Sequence, residues 1–147
     1  MAPLIIGIGN PIRGDDAVGL RVVEAVGLSD MVVEHDGEPA SLIALWDGCD
    51  EVVLVDAVSS GRSPGTIVEI DASHSTLPAG ICHSTHALGP AEAVELARVL
   101  GRLPASITLL GIEGSDYSFG GGLSATAEAA VEDVVRRVRA IISAPAG

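Results

Sequence analysis

The stretch from Leu4 to Gly19, LIIGIGNPIRGDDAVG, limits what this chain can fold into more than any other. Leu4-Ile5-Ile6-Gly7-Ile8 is a short apolar run of the kind that forms a strand covered on both faces. Gly9-Asn10-Pro11 breaks it with turn residues. A helical spacing of apolar positions then starts near Asp15, at Ala17, Val18, Leu20, Val22, Val23 and Val26. Strand, turn and helix start make the first half of a βαβ unit. Such turns often bind phosphate, but this one lacks the residues. A GxGxxG fingerprint on Gly7 and Gly9 needs a third glycine where Ile12 stands, and a P-loop on Gly9 and Gly14 needs lysine and a hydroxyl where Asp15 and Asp16 stand. Two carboxylates repel phosphate. They suit a cation, or a group that carries one.

The alternation continues along the chain. A first helix is expected from about Asp15 to Gly27, with Asp15 as N-cap and Asp16 favourable in the first turn. Met31 to Glu34 reads as a strand, followed by His35-Asp36-Gly37, and Pro39 to Trp46 as a helix closed by Asp47-Gly48. Val52-Val53-Leu54-Val55-Asp56 is the cleanest strand, central and ending in a carboxylate. Thr66 to Asp71 alternates, as a half-exposed edge strand would. Residues 72–86 form the longest apparent loop, and Pro90 opens a helix through Leu100 with Glu92 in its first turn. Ile107 to Ile112 is a fifth strand, and a Gly-rich run leads to Ser124, which caps a helix extending to about Ile141. Its Arg136, Arg137 and Arg139 are expected near the negative end of the dipole. This order predicts an α/β fold: one domain over residues 1–147, a three-layer α/β/α sandwich around a mostly parallel or mixed five-stranded sheet.

Charge and cysteine usage narrow the function. A net charge of −12 opposes an electrostatic nucleic-acid binder, which needs a basic face, and opposes an anionic membrane surface. Cys49 and Cys82 form no CxxC pair, which fits a reduced, cytoplasmic protein better than a disulfide scaffold. Met1-Ala2-Pro3 runs into a strand without a basic segment, and no apolar run approaches a membrane span, so neither a signal peptide nor a membrane anchor is expected.

Ligands of such sheets sit outside the carboxyl ends of the strands. That rule gathers Gly9 to Asp16, Asp36, Asp56 and Glu113 to Asp116 at one edge, with the loop Gly80 to Gly89 and its His83 and His86 able to fold over it. Singly, Asp16 suits a helix dipole, Asp56 a strand-end turn and His86 a solvated loop. Together, two carboxylates and a histidine suit a divalent metal such as zinc or nickel and leave positions open. A rival ligand set, Cys82, His83 and His86, has a C-H-x-x-H spacing that fits no common structural zinc pattern. Ser84 lies near two histidines, but no GxSxG elbow is present.

GIGNPIRGDDAVG, DGEPASLIALWDGCDEVVLVDAV, STHALGPAEAVELARVLGRLP, GIEG and GGLS follow one another from Leu4 to about Ile141 in a pattern that resembles the hydrogenase maturation protease family. The resemblance implies a phosphorylase/hydrolase-like fold, similar to peptidyl-tRNA hydrolases and spore germination proteases. It implies an endopeptidase that removes a C-terminal extension from the large-subunit precursor of a nickel–iron hydrogenase once nickel is inserted. The nickel comes with the precursor, in a transient one-to-one complex, and zinc or cadmium could stand in for it. Carried onto this chain, the family's metal ligands are Asp16, Asp56 and His86, and Asp36 is a further implicated acid, giving Asp16, Asp36, Asp56 and His86 as the candidate catalytic set.

The chain departs from the pattern in three places. Relatives often carry Glu in the turn, whereas adjacent Asp15 and Asp16 leave the ligand open between them. Asp36-Gly37-Glu38-Pro39 replaces a common DGG-Thr, and Cys82-His83 is not a family feature. The sequence is also compatible with three other activities. A peptidyl-tRNA hydrolase would carry an early catalytic histidine and a basic groove, a self-contained peptidase or amidase would retain zinc, and a nickel-dependent docking protein or chaperone would hold the precursor without cutting it.

Overall fold

Apolar runs with no polar alternation must be covered on both faces, and the chain does this by placing helices on either side of one sheet. The computed structural model describes residues 2–83 and 88–144. Its elements are β1 (Leu4–Ile8), a 3-10 turn (Gly14–Ala17), α1 (Val18–Val26), β2 (Val32–His35), α2 (Pro39–Trp46), β3 (Glu51–Val58), β4 (Ile67–Asp71), α3 (Pro90–Leu100), β5 (Ser106–Glu113) and α4 (Ala125–Ser143). The strands lie in the order β2-β1-β3-β5-β4. β1 is parallel to β2 and to β3, and β3 to β5, while β4 runs antiparallel on the edge beside β5. The sandwich is therefore the expected one, with a mixed sheet.

Side-chain parity decides which layer each strand residue meets. Leu4, Ile6 and Ile8 with Val52, Leu54, Val58, Ile107 and Leu109 pack under α2 and α3, around Leu42, Trp46, Val94 and Ala97. Ile5, Val53, Val55, Ala57, Leu110 and Ile112 pack under α1 and α4, against Val22, Val23, Val131, Val134 and Val138. Asp56 shares its parity with Val52, Leu54 and Val58. It thus belongs to the α2 and α3 side, at the carboxyl end of the central strand.

α1 lies unusually close to the sheet because Gly19 has no side chain. A Cβ there would stand 2.5 Å from Ile8 O and closer still to Val55 O, both rigid backbone. Gly19→Ala is expected to cost about 3 kcal/mol, the upper end for overpacking. The check is a urea melt, in which the midpoint falls with an unchanged slope.

Two local expectations are corrected. The α-helix starts at Val18 rather than Asp15, and Asp15 makes no cap hydrogen bond there. Its carboxylate is taken by a distant loop, as described below, and the intervening residues tighten into a 3-10 turn. In α4 no basic residue occupies the last turn. Arg136 pairs with Asp133, Arg137 reaches Glu69 at 3.7 Å, and Arg139 donates to Ala25 O at 3.0 Å. Lateral partners, not the dipole, take these guanidinium groups. Among the described residues no helix is long and apolar enough to cross a membrane.

Candidate active site

Three segments meet at the carboxyl end of β3. The first is the turn after β1. Gly9 allows it to fold back, since a Cβ there would collide with the Asp16 carbonyl. It delivers two adjacent aspartates, Asp15 and Asp16, both with essentially no solvent exposure. Their fates differ. Asp15 Oδ2 accepts from Ser115 N at 2.8 Å, Asp116 N at 3.2 Å and Ser124 Oγ at 2.8 Å, while Oδ1 accepts from Ser124 N at 2.7 Å. Burial alone would raise its pKa, but these hydrogen bonds outweigh it and hold the carboxyl below the usual range. Asp15 is occupied by the fold.

Asp16 is turned to the other side, where its Oδ1 lies 3.2 Å from His83 Nδ1. Burial pushes its carboxyl up, and the His83 contact opposes this.

The second segment is the end of β3. Asp56 is fully buried, and its Oδ1 accepts the N–H of Ala57 at 2.8 Å. Its Oδ2 has no well-formed hydrogen bond among the described residues. The Cys82 thiol, a weak donor, also acts on this carboxyl and lowers its pKa. Burial raises the Asp56 pKa well above the ordinary carboxylate range, and the negative charge of Asp16 raises it further. Two carboxylates close enough to repel each other, one of them fully desolvated, are unfavourable by themselves. A cation between them would relieve both problems.

The third segment is the loop before α3. It is pinned to β3 by an isolated bridge between Val58 and Cys82, with Ser59 N donating to Ile81 O at 2.8 Å and His83 N to Ala57 O at 3.0 Å. The loop does fold over the edge, as far as it is described. His86 lies outside the described residues, as does Ser84. Of the rival set of Cys82, His83 and His86, Cys82 sits beside Asp56 and His83 turns to Asp16. Among the described residues no group of three or more His, Cys, Asp or Glu side chains is arranged to hold a metal ion. Carboxylates such as those of Asp16 and Asp56 fit a hard-to-borderline divalent ion.

Cys82 is no covalent nucleophile. Its thiol is 7% exposed, and burial, then the charge of Asp56, pushes its pKa well up, so the thiolate is suppressed.

Asp36 takes a separate position. It follows β2, is 66% exposed, and its Oδ1 accepts from Glu38 N at 3.0 Å. With Gly9, Ala17, Leu20 and Leu123 it lines a cleft of about 560 Å³ that Asp16 and Asp56 do not line. His35 also lines this cleft; its Nδ1 accepts from Gly37 N at 2.8 Å, and Ser41 Oγ lies 3.1 Å from its Nε2. Two features escaped the sequence. One is the use of Asp15 as an anchor, which depends on residues a hundred positions away. The other is Tyr117, whose ring stacks on His83 at 3.7 Å and 8°. A lone tyrosine in a Gly-rich run offered no pattern to find it by.

Known proteins share this arrangement of chain. The family model described as HycI, hydrogenase maturation protease, matches residues 28–141, a span that includes Asp36, Asp56 and His86. The chain is 32% identical over 151 residues to the hydrogenase 2 maturation protease of Escherichia coli, covering 97% of this chain and 91% of that protein. The solved structure of the hydrogenase maturating endopeptidase HybD from Escherichia coli is similar with a TM-score of 0.74 at 29% identity, covering 94% of this chain and 90% of that one. The [NiFe] hydrogenase maturation protease HybD from Thermococcus kodakarensis gives 0.73 at 22% identity over 97% and 100%, a likeness of fold alone. The fold, the strand-end carboxylates and these relatives agree, and the chain belongs to the hydrogenase maturation protease family.

Proposed function

We propose that the protein cleaves the C-terminal extension from the large-subunit precursor of a nickel–iron hydrogenase after nickel insertion. The observation that carries this reading is the buried Asp56 oxygen, without a well-formed hydrogen bond among the described residues, beside the Asp16 carboxylate. An incomplete donor set of this kind binds a free ion poorly but can complete the coordination of one already held by a partner. Asp16, Asp56 and His86 are the groups assigned to meet the nickel carried by the precursor. The ion would polarise the scissile carbonyl or lower the pKa of a water.

The chain's own residues do the rest. Asp56 is fully buried, so an approaching cation would meet a carboxylate that bulk water does not solvate. The 560 Å³ cleft beside the turn gives an extended segment room to lie along Ala17 and Leu20, with Asp36 at its margin able to orient a peptide N–H. Cleavage is then conditional on metal insertion, because only a loaded precursor supplies the missing ligands. The complex is one-to-one and ends when the extension leaves.

The test is the intact mass of the cognate precursor after incubation with the protein, with nickel loaded and without. Loss of a C-terminal peptide from the loaded form only is expected. Cleavage regardless of nickel would remove the metal from the mechanism. A stable complex with no change in mass would replace the protease reading by a docking one, and zinc retained through purification would favour a self-contained peptidase. Asp16→Asn and His86→Ala should each slow cleavage by about a hundredfold or more. Wild-type rates in both would show the assignment of these residues to be wrong.

A further inference from the structure

We infer that His83 is a positioning residue for the proteolysis proposed above, holding the Asp16 carboxylate against its repulsion from Asp56. This rests on the protease reading, but the geometry is independent of it. His83 is fixed on three sides. Its backbone N–H donates to Ala57 O at 3.0 Å, its Nδ1 lies 3.2 Å from Asp16 Oδ1, and its ring lies flat on Tyr117, with centroids 3.7 Å apart and planes 8° from parallel. Tyr117 is held in turn: its hydroxyl donates to Val58 O at 3.3 Å, its carbonyl accepts from Arg13 Nε at 3.4 Å, and Gly114 leaves it space, since a Cβ there would stand 2.8 Å from Tyr117 Cζ.

An ionised carboxylate only accepts, so His83 Nδ1 is the donor in this pair. Asp16 stands on a 3-10 turn with Asp56 repelling it. The backbone N–H of Asn10 also bonds this carboxylate, but one bond leaves it free to rotate away from the position where both acids can face one cation. A hydrogen bond from a ring that is itself stacked and pinned removes that freedom, as outer partners of metal-facing carboxylates do. The bond engages Oδ1 of the carboxylate. His83 touches neither precursor nor nickel in this role.

Two measurements on the whole protein test this. In cleavage of loaded precursor, His83→Phe keeps the stack but has no donor, and is expected to lower kcat by about ten- to a hundredfold with KM within about twofold. His83→Asn restores an amide N–H near the Nδ1 position and is expected to recover to within about fivefold of wild type. Wild-type kcat in His83→Phe, or His83→Asn as slow as His83→Phe, overturns the inference. The second measurement needs no substrate. Nitrogen-15 spectra of the free protein should show His83 protonated at Nδ1, and this preference should vanish in Asp16→Ala. A bare Nδ1 in the wild type overturns the inference as well. Should the wild type leave the precursor uncut, the protease reading fails while the spectra still decide whether His83 anchors Asp16.

Discussion

Asp56→Asn is expected to abolish cleavage and, in metal-free buffer at pH 8, to melt above the wild type. The two effects have one cause. Asp56 is fully buried, has one oxygen with no well-formed hydrogen bond among the described residues, and faces the charge of Asp16. Those conditions make it useful to an arriving cation and harmful to the empty fold. The amide keeps the shape and removes the charge. Loss of a charged group meant to face the metal forfeits several kcal/mol of transition-state stabilisation, about a thousandfold in rate. Removal of a desolvated, unpaired charge returns about 1–3 kcal/mol of stability.

The sign follows from linkage. Burial first, and Asp16 second, raise the Asp56 pKa above its unfolded value, so the native state holds the proton more tightly than the unfolded chain does. The stability associated with this proton is fully present below the unfolded value of about 3.9. It is lost as pH rises through the higher native pKa. The melting difference between Asp56→Asn and wild type should therefore be close to zero near pH 3.5, open as pH rises and level off above the native pKa. Calorimetry at several pH values in chelator reads it directly. A variant less stable than wild type at pH 8 would mean that Asp56 has a partner which stabilises its charge without metal.

Much of this was legible in the sequence because its signals are local. Leu4 to Ile8 and Val52 to Val55 read as buried strands because nothing polar interrupts them, and Pro39 and Pro90 open the helices that were expected to start there. Pairing Asp16 with Asp56 needed only strand order and the rule that ligands sit at carboxyl ends. What stayed hidden is long-range. Thr66 to Asp71 was readable as an edge strand, but its antiparallel direction is set by where the chain returns after β3. The division of labour between Asp15 and Asp16 could not be read from two identical neighbours, since Ser115 and Ser124 decide it. The Asx turn at Asp36 is local chemistry, yet the cleft it borders is made by segments far apart in the chain.

Asp15→Ala should destabilise the fold by about 3–5 kcal/mol, the range for breaking a buried, charge-assisted network. Asp16→Asn, one residue on, should leave stability near wild type or above it. Asp15 takes hydrogen bonds from the backbone of Ser115, Asp116 and Ser124 and from the Ser124 hydroxyl, while its own N–H donates to Asp116 O at 2.8 Å. Ser124 is the N-cap of α4, its Oγ accepting from Ala127 N at 3.3 Å, so the Asp15 charge also sits at the positive end of that helix. Removing the carboxylate leaves three N–H groups at a half-buried place without their acceptor and frees both the turn before α1 and the start of α4. Asparagine is expected to be little better than alanine, because its amide would present N–H groups to a site made entirely of donors. For a chain of this size the loss corresponds to about 10 °C or more in melting temperature. Hydrogen exchange should quicken first at residues 115–124, where the clamp is released. Equal losses in Asp15→Ala and Asp16→Asn would show that the two aspartates share one role. The contrast expected here assigns one to holding the loops together and leaves the other for chemistry.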